Sequence, residues 1–415
     1  MQRINDDNSV QEIDVQGLLS PEVIANPYPY YAKLREQPPQ FGLKDFPPGT
    51  VPDQDQPHPA WALVKYQDVA LAASDHESFS SRDPMQEASS APTLMLVNHD
   101  RPRHTELRGI AQQAFTPKRI EQSLAGWVKE TVVKMIADLP SGEIDFMTSF
   151  APDLPARLMT RLIGTPEEDY VSLRRWSNAF MVTSDFTIEE RNQCNQEIAA
   201  YYTDAVNQRY TDIEAGLETP DDLMTAFIKA EHEGSKLTRE EVVRFCLTLV
   251  VAGAETTGYL LGNIVCTLAQ EPEFFDLLKQ DRHLIRPFIE ESLRRDGPPQ
   301  RLFRVAVKDT DIGGVTIKQG DWVALFYAAA NRDPSVFEEP DRFVIGRSNI
   351  NKQLTFGRGI HHCMGARIAR LEAETMINCL LDSCSRIDLG SRPMVRQTGG
   401  LLNYGLDSCP VILVP

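Results

Sequence analysis

The chain has 415 residues, 42% hydrophobic and 8% aromatic, with 59 acidic against 42 basic side chains and a formal charge of −17. That length supports one large core or two ordinary ones. The acid excess argues against a nucleic-acid or anionic-membrane protein, because phosphate binding needs basic surface.

The opening stretch, MQRINDDNSVQEID, is polar and carries no apolar signal core. The longest apolar run, CLTLVVAGA at 246–254, falls far short of the roughly 18 residues a membrane span needs. A cytoplasmic protein without a membrane anchor is expected. FPPGTVPDQDQPHP (46–59) is the best loop. It precedes WALVKY, which alternates as a strand, and then a helical run to about residue 76. From about 103 to 300 the pattern is mainly helical, with acidic turns such as GLETPDD. Residues 307–326 read as a small β-region in which Gly313-Gly314 separates two strands. Helix is expected to return only after residue 363, and PVILVP closes the chain as a strand. The fold class is therefore mainly α with a minor β region. Because the β pieces come from both ends, one interwoven domain is expected rather than two. Seven cysteines, at 194, 246, 266, 363, 379, 384 and 409, are odd in number and lack CxxC spacing. Most are expected to be buried thiols rather than disulfides.

FGRGIHHCMGARIARLE (356–372) crowds two histidines and a cysteine among glycines just before an amphipathic run. A helix N-terminus offers unpaired N–H groups and a positive dipole end, both favouring a thiolate at Cys363. Gly357, Gly359 and Gly365 would let backbone pass close to a flat ligand, and Phe356 would pack beside it. Taken alone, Cys363 fits a buried thiol beside a glycine-rich turn better than a ligand. The whole pattern reverses that balance.

The stretch resembles the haem-binding loop of cytochrome P450 monooxygenases, and GIHHCMGARIARLE is especially similar to their soluble bacterial members. Met364 departs from the Leu common there. The resemblance runs over roughly residues 60 to 415. It implies a cytochrome P450 fold with haem b (iron protoporphyrin IX), and Cys363 as the axial ligand of its iron. Residues 1–415 would form one domain, with 1–59 an N-terminal segment and 351–372 the haem-binding loop and the start of the next helix. In AGAETT (252–257), Gly253, Glu255 and Thr256 are similar to the family's oxygen-activation motif. There a bend would open a groove, Thr256 would position protons, and Glu255 would relay them. IEESLRRD resembles the helix-borne Glu-x-x-Arg pair, giving structural roles to Glu291 and Arg294, with Arg342 of PDRF as the third member. His104 and Arg108, four apart on a helix, would bind haem propionates in a cationic clamp completed by Arg304 and His361.

By the same resemblance Leu94, Met95, Phe180, Met181, Thr248, Val251, Ala252, Leu302, Leu402 and Asn403 are candidates to line a substrate cavity. Their aliphatic character suggests a small to medium apolar substrate of terpenoid, fatty-acid or aromatic type. No dinucleotide or flavin motif is apparent in the sequence, so no flavin is expected in this chain. Electrons would come from a ferredoxin or flavodoxin with its NAD(P)H reductase, docking near Arg103, Arg358, Arg367 and Arg370, although Arg370 fits a structural role equally well. The implied activity is oxygen insertion by a haem-thiolate monooxygenase. Desaturation, ring coupling, peroxide-driven oxidation and a non-catalytic haem sensor remain alternatives.

Overall fold

The structure, a computed structural model, describes residues 14–44, 58–82, 94–114, 117–180, 186–232 and 234–415. Most of the expected loop at 46–59, and Met181, lie outside them. Strands β1 (Gln40–Leu43), β2 (Ala60–Leu63) and β3 (Phe79–Ser80) come early, with α1 (Tyr66–Ser74) between the last two. They share a five-stranded sheet with β5 (Leu302–Ala306) and β6 (Trp322–Leu325), in the order β1-β2-β6-β5-β3. Only β2 and β6 run parallel; the other neighbours are antiparallel.

The helical body holds α2 (Arg103–Ala114), α3 (Pro117–Ala137), α4 (Asp153–Ile163), α5 (Tyr170–Phe180), α6 (Ile188–Glu214), α7 (Arg239–Gln270), α8 (Ile285–Asp296) and α9 (Ala366–Ser383). Strand β4 (Glu143–Asp145) lies between α3 and α4, and β7 (Arg386–Leu389), β8 (Val395–Arg396), β9 (Leu406–Ser408) and β10 (Pro410–Val414) end the chain. β10 sits between β7 and β4, so the carboxyl end is stitched to residues some 265 positions earlier. This is the single interwoven, mainly helical domain expected.

Helix α7 runs through the centre. Its start is a capping box: Thr238 Oγ1 accepts from the Glu241 N–H at 3.2 Å, and the Glu241 carboxylate accepts from the Thr238 N–H at 2.9 Å. Its 32 residues reach about 48 Å. It is apolar around most of its circumference, which suits a helix enclosed by others. By length and composition it would also cross a membrane, but 67% of its most apolar stretch is buried in protein. At Gly258 an added Cβ would stand 3.1 Å from Pro152 Cα, just before α4. Small residues therefore let the two segments press together. Leu261 and Ile264 on α7 are fully buried, and truncating either to Ala would cost about 2–5 kcal/mol.

The β-region at 307–326 is a tight hairpin, Thr310–Ile312 against Val315–Ile317, followed by β6. Gly313 and Gly314 both have positive φ, 59° and 87°, as a two-residue hairpin turn requires. One expectation fails: helix returns before the cysteine loop, at Tyr327–Asn331. Five residues, three of them alanine, are too few to display a helical period.

Candidate active site

The cysteine loop is closed by the Cys363 N–H, which donates to the Phe356 carbonyl at 2.9 Å. Gly357 and Gly359 take positive φ, 69° and 73°. At Gly359 a Cβ would meet the Ala73 carbonyl oxygen at 2.9 Å, so only glycine lets the loop lie against α1. The Arg370 guanidinium covers the Phe356 ring at 4.4 Å. Helix α9 begins at Ala366 with Gly365 as its cap. Cys363 thus stands two residues before the cap rather than at the helix start. The Gly365 and Ala366 N–H groups, with Arg108 and Arg370, favour its thiolate, but burial outweighs them and pushes the thiol up. The helix-start N–H groups thus act on the sulfur in the expected direction. The other six cysteines are buried and none is in a disulfide. Cys363 alone is exposed, at a place where surrounding protein still dominates its solvation.

The expected propionate donors converge beside this loop. The His104 and His361 rings lie 4.4 Å apart, tilted by 59°. Each has a buried Nε2 with no hydrogen-bond partner. Arg304, on β5, is 7% exposed and donates from Nη1 to the Phe303 carbonyl at 2.7 Å. Arg108 Nη2 donates to the His362 carbonyl at 2.7 Å. Burial, then the neighbouring arginines, pushes His361 down to about 2 and His104 down to about 4. Both rings are therefore neutral near pH 7 until an anion binds beside them. The charge belongs to Arg108 and Arg304, and the imidazoles offer neutral donors.

On α7, helical hydrogen bonding continues through Gly253, whose added Cβ would lie 2.8 Å from Met159 Sδ. This glycine lets α4 approach closely. Thr256 Oγ1 donates to the Ala252 carbonyl at 2.9 Å. Glu255 accepts from Tyr259 Oη at 3.1 Å, and Asn403 Nδ2 lies 3.5 Å from its other oxygen. Burial pushes the Glu255 carboxyl up to about 8. Glu255 also lines a solvent-open cleft whose walls include Arg174, Asn178, Tyr259 and Asp407.

None of the expected substrate-cavity residues lines that cleft. The Thr248 hydroxyl donates to the Arg244 carbonyl at 2.7 Å and accepts from the Met95 N–H at 2.8 Å, so it is already engaged. Met95 and Val251 are buried, Leu94, Phe180 and Leu402 half-buried, and Ala252 exposed. Leu302 opens β5 at 37% exposure, and buried Asn403 turns to Glu255. Arg103, expected in a docking patch, pairs with Glu106 and Glu241, and Arg370 pairs with Glu290, in line with its structural alternative.

Glu291 and Arg294 form a fully buried pair, with Arg294 Nε and Nη2 donating to the two carboxylate oxygens at 2.8 and 2.7 Å. The third member is Arg347, whose Nε donates to Glu291 Oε1 at 2.8 Å. Arg342, expected there, is 67% exposed, pairs with Glu339, and gives the network only its carbonyl. Arg347 and Tyr259 escaped the sequence reading. Tyr259 alone left a local signal, four residues after Glu255.

The family model for cytochrome P450 matches residues 171–403. The chain belongs to the cytochrome P450 family. The biotin biosynthesis cytochrome P450 of Bacillus subtilis (strain 168) is 34% identical, over 89% of this chain and 92% of its own. The vitamin D(3) 25-hydroxylase of Pseudonocardia autotrophica is 33% identical, over 94% of each. Among solved structures, P450BioI in complex with hexadec-9Z-enoic acid ligated acyl carrier protein superposes with a TM-score of 0.83 at 33% identity, covering 94% of this chain and 99% of that one. As a cytochrome P450 monooxygenase the protein requires haem iron. The residues present fit that group: an exposed thiol with a glycine Cβ position 3.9 Å from its sulfur, beside two buried imidazole nitrogens lacking partners.

Proposed function

We propose that this cytochrome P450 inserts one oxygen atom from dioxygen into a small to medium apolar molecule. Cys363 would ligate the haem iron, with Phe356, Gly357 and Gly365 against the macrocycle. His104, Arg108, Arg304 and His361 would bind its propionates. When bound, haem supplies dioxygen activation, and thiolate ligation favours O–O cleavage. Glu255 holds a proton at its carboxyl near neutral pH, and Thr256 presents a hydroxyl one residue on. The observation that carries this reading is the exposed Cys363 thiol beside the two partnerless imidazole nitrogens.

The names of the relatives favour fatty-acyl and secosteroid-like substrates over aromatic ones. Electrons would come from a ferredoxin or flavodoxin and its NAD(P)H reductase, with Arg358 and Arg367 as exposed docking cations. A cytoplasmic location suits such partners. The test is turnover of a fatty-acid and secosteroid panel under isotopically labelled dioxygen. One labelled atom per product is expected, and unlabelled product would refute oxygen insertion from dioxygen.

A further inference from the structure

Glu255 and Thr256 are sequence neighbours on α7, yet they serve different spaces. Glu255 lines the solvent-open cleft, together with Tyr259, Arg174, Asn178 and Asp407. The Thr256 hydroxyl is turned onto its own helix, donating to Ala252, and Thr256 is not part of that wall. The Glu255 carboxyl is fixed from two directions. Tyr259, one turn further along, reaches back to Oε1 at 3.1 Å, and the Asn403 amide stands 3.5 Å from Oε2.

Both holders depend on the segment leading into β9. A Cβ on Gly405 would fall inside the Tyr259 ring, so glycine there opens the slot the ring occupies. Asn403 is 2% exposed, bridges to Pro299, and accepts at its carbonyl from Gln397 Nε2. We propose that this cleft is the proton entrance to α7, and that Tyr259, seated on Gly405, is the positioning residue that holds the Glu255 carboxyl at its inner end. The proposal rests on the monooxygenase reading, which requires protons at α7.

The charges acting on Glu255 come from three sides. Arg191 on α6 favours the carboxylate, Asp407 at β9 opposes it, and the Tyr259 hydroxyl donates to it. Arg174 on α5 also faces the cleft, but it is bound to Asp153 at 2.6 Å. The sign of a Tyr259 change follows. Removing a donor to the charged form makes the carboxyl titrate higher, and the acid loses its fixed position.

The experiment is infrared difference titration of the haem-loaded full chain, using Glu255→Gln to identify the carboxyl band. Solvent isotope effects on turnover accompany it. Tyr259→Phe should move the Glu255 titration up by about one pH unit, shift the carbonyl stretch, and raise the isotope effect. Gly405→Ala, which keeps the hydroxyl but displaces the ring, should do the same. Asn178→Trp, filling the cleft, should raise the isotope effect without moving the band. Unchanged band and isotope effect in Tyr259→Phe would overturn the positioning role, even if the variant melts earlier. An unchanged isotope effect in Asn178→Trp would overturn the entrance. A wild-type protein without a thiolate–iron–CO band would instead refute the monooxygenase reading, and leave the infrared titration interpretable.

Discussion

Arg347 Nε donates to Glu291 Oε1 at 2.8 Å, the same oxygen that takes the Arg294 Nη2 bond at 2.7 Å. The Val344 N–H adds a third donor at 2.9 Å. A carboxylate without solvent contact is tolerable only when so surrounded. The Arg347 guanidinium also binds the carbonyls of Glu338, Glu339 and Arg342, tying the loop before the cysteine segment to α8.

Arg347→Ala should therefore cost about 3 kcal/mol or more in urea unfolding. Arg342→Ala should leave the unfolding curve within error, because its side chain is exposed and paired only locally. Equal effects from the two variants would contradict the assignment.

Glu372 on α9 is fully buried, and neither carboxylate oxygen has a partner. Burial pushes its carboxyl well above the usual range. The folded state then binds a proton that the unfolded chain releases above about pH 4.3. Its contribution is greatest below the unfolded pKa and is lost as pH rises toward the folded one, by up to about 1.4 kcal/mol per pH unit. Glu372→Gln should remove that slope, so the variant gains on wild type as pH rises from 5 to 8. Parallel melting-temperature profiles would show that the carboxyl is already satisfied.

His104→Phe and His361→Phe keep a ring while deleting the partnerless nitrogen. If those nitrogens serve haem propionates, each variant should release haem to a scavenging apoglobin about 10- to 100-fold faster. An unchanged release rate would assign the pair to packing.

Arg358 and Arg367 are exposed near the cysteine, whereas Arg103 and Arg370 are engaged with carboxylates. Charge reversal at Arg358 or Arg367 should slow reduction by a ferredoxin and flatten its dependence on ionic strength. Arg103→Glu should lower stability and leave that dependence alone. The opposite pattern would relocate the docking face.

Features encoded within one or two turns of chain were legible. The glycine-spaced cysteine loop, the Glu291–Arg294 pair and the Gly-Gly hairpin each carry their geometry in adjacent residues. Helix-rich architecture followed from periodicity, and interweaving from strands at both ends. Long-range choices were not legible. Arg342 and Arg347 lie five apart in a segment without a period, and only the fold decides which turns inward. Seating of Tyr259 on Gly405, nearly 150 residues away, leaves no local trace. The neutrality of His104 and His361 depends on burial and on arginines from separate elements, which no single stretch displays.

The most direct measurement is the carbon monoxide difference spectrum of the dithionite-reduced, haem-loaded protein, with Cys363→Ser beside it. A strongly red-shifted Soret band in the wild type, lost in the variant, is the result this account predicts. A folded, haem-replete wild type without that band, or a variant that retains it, would contradict Cys363 as the iron's ligand.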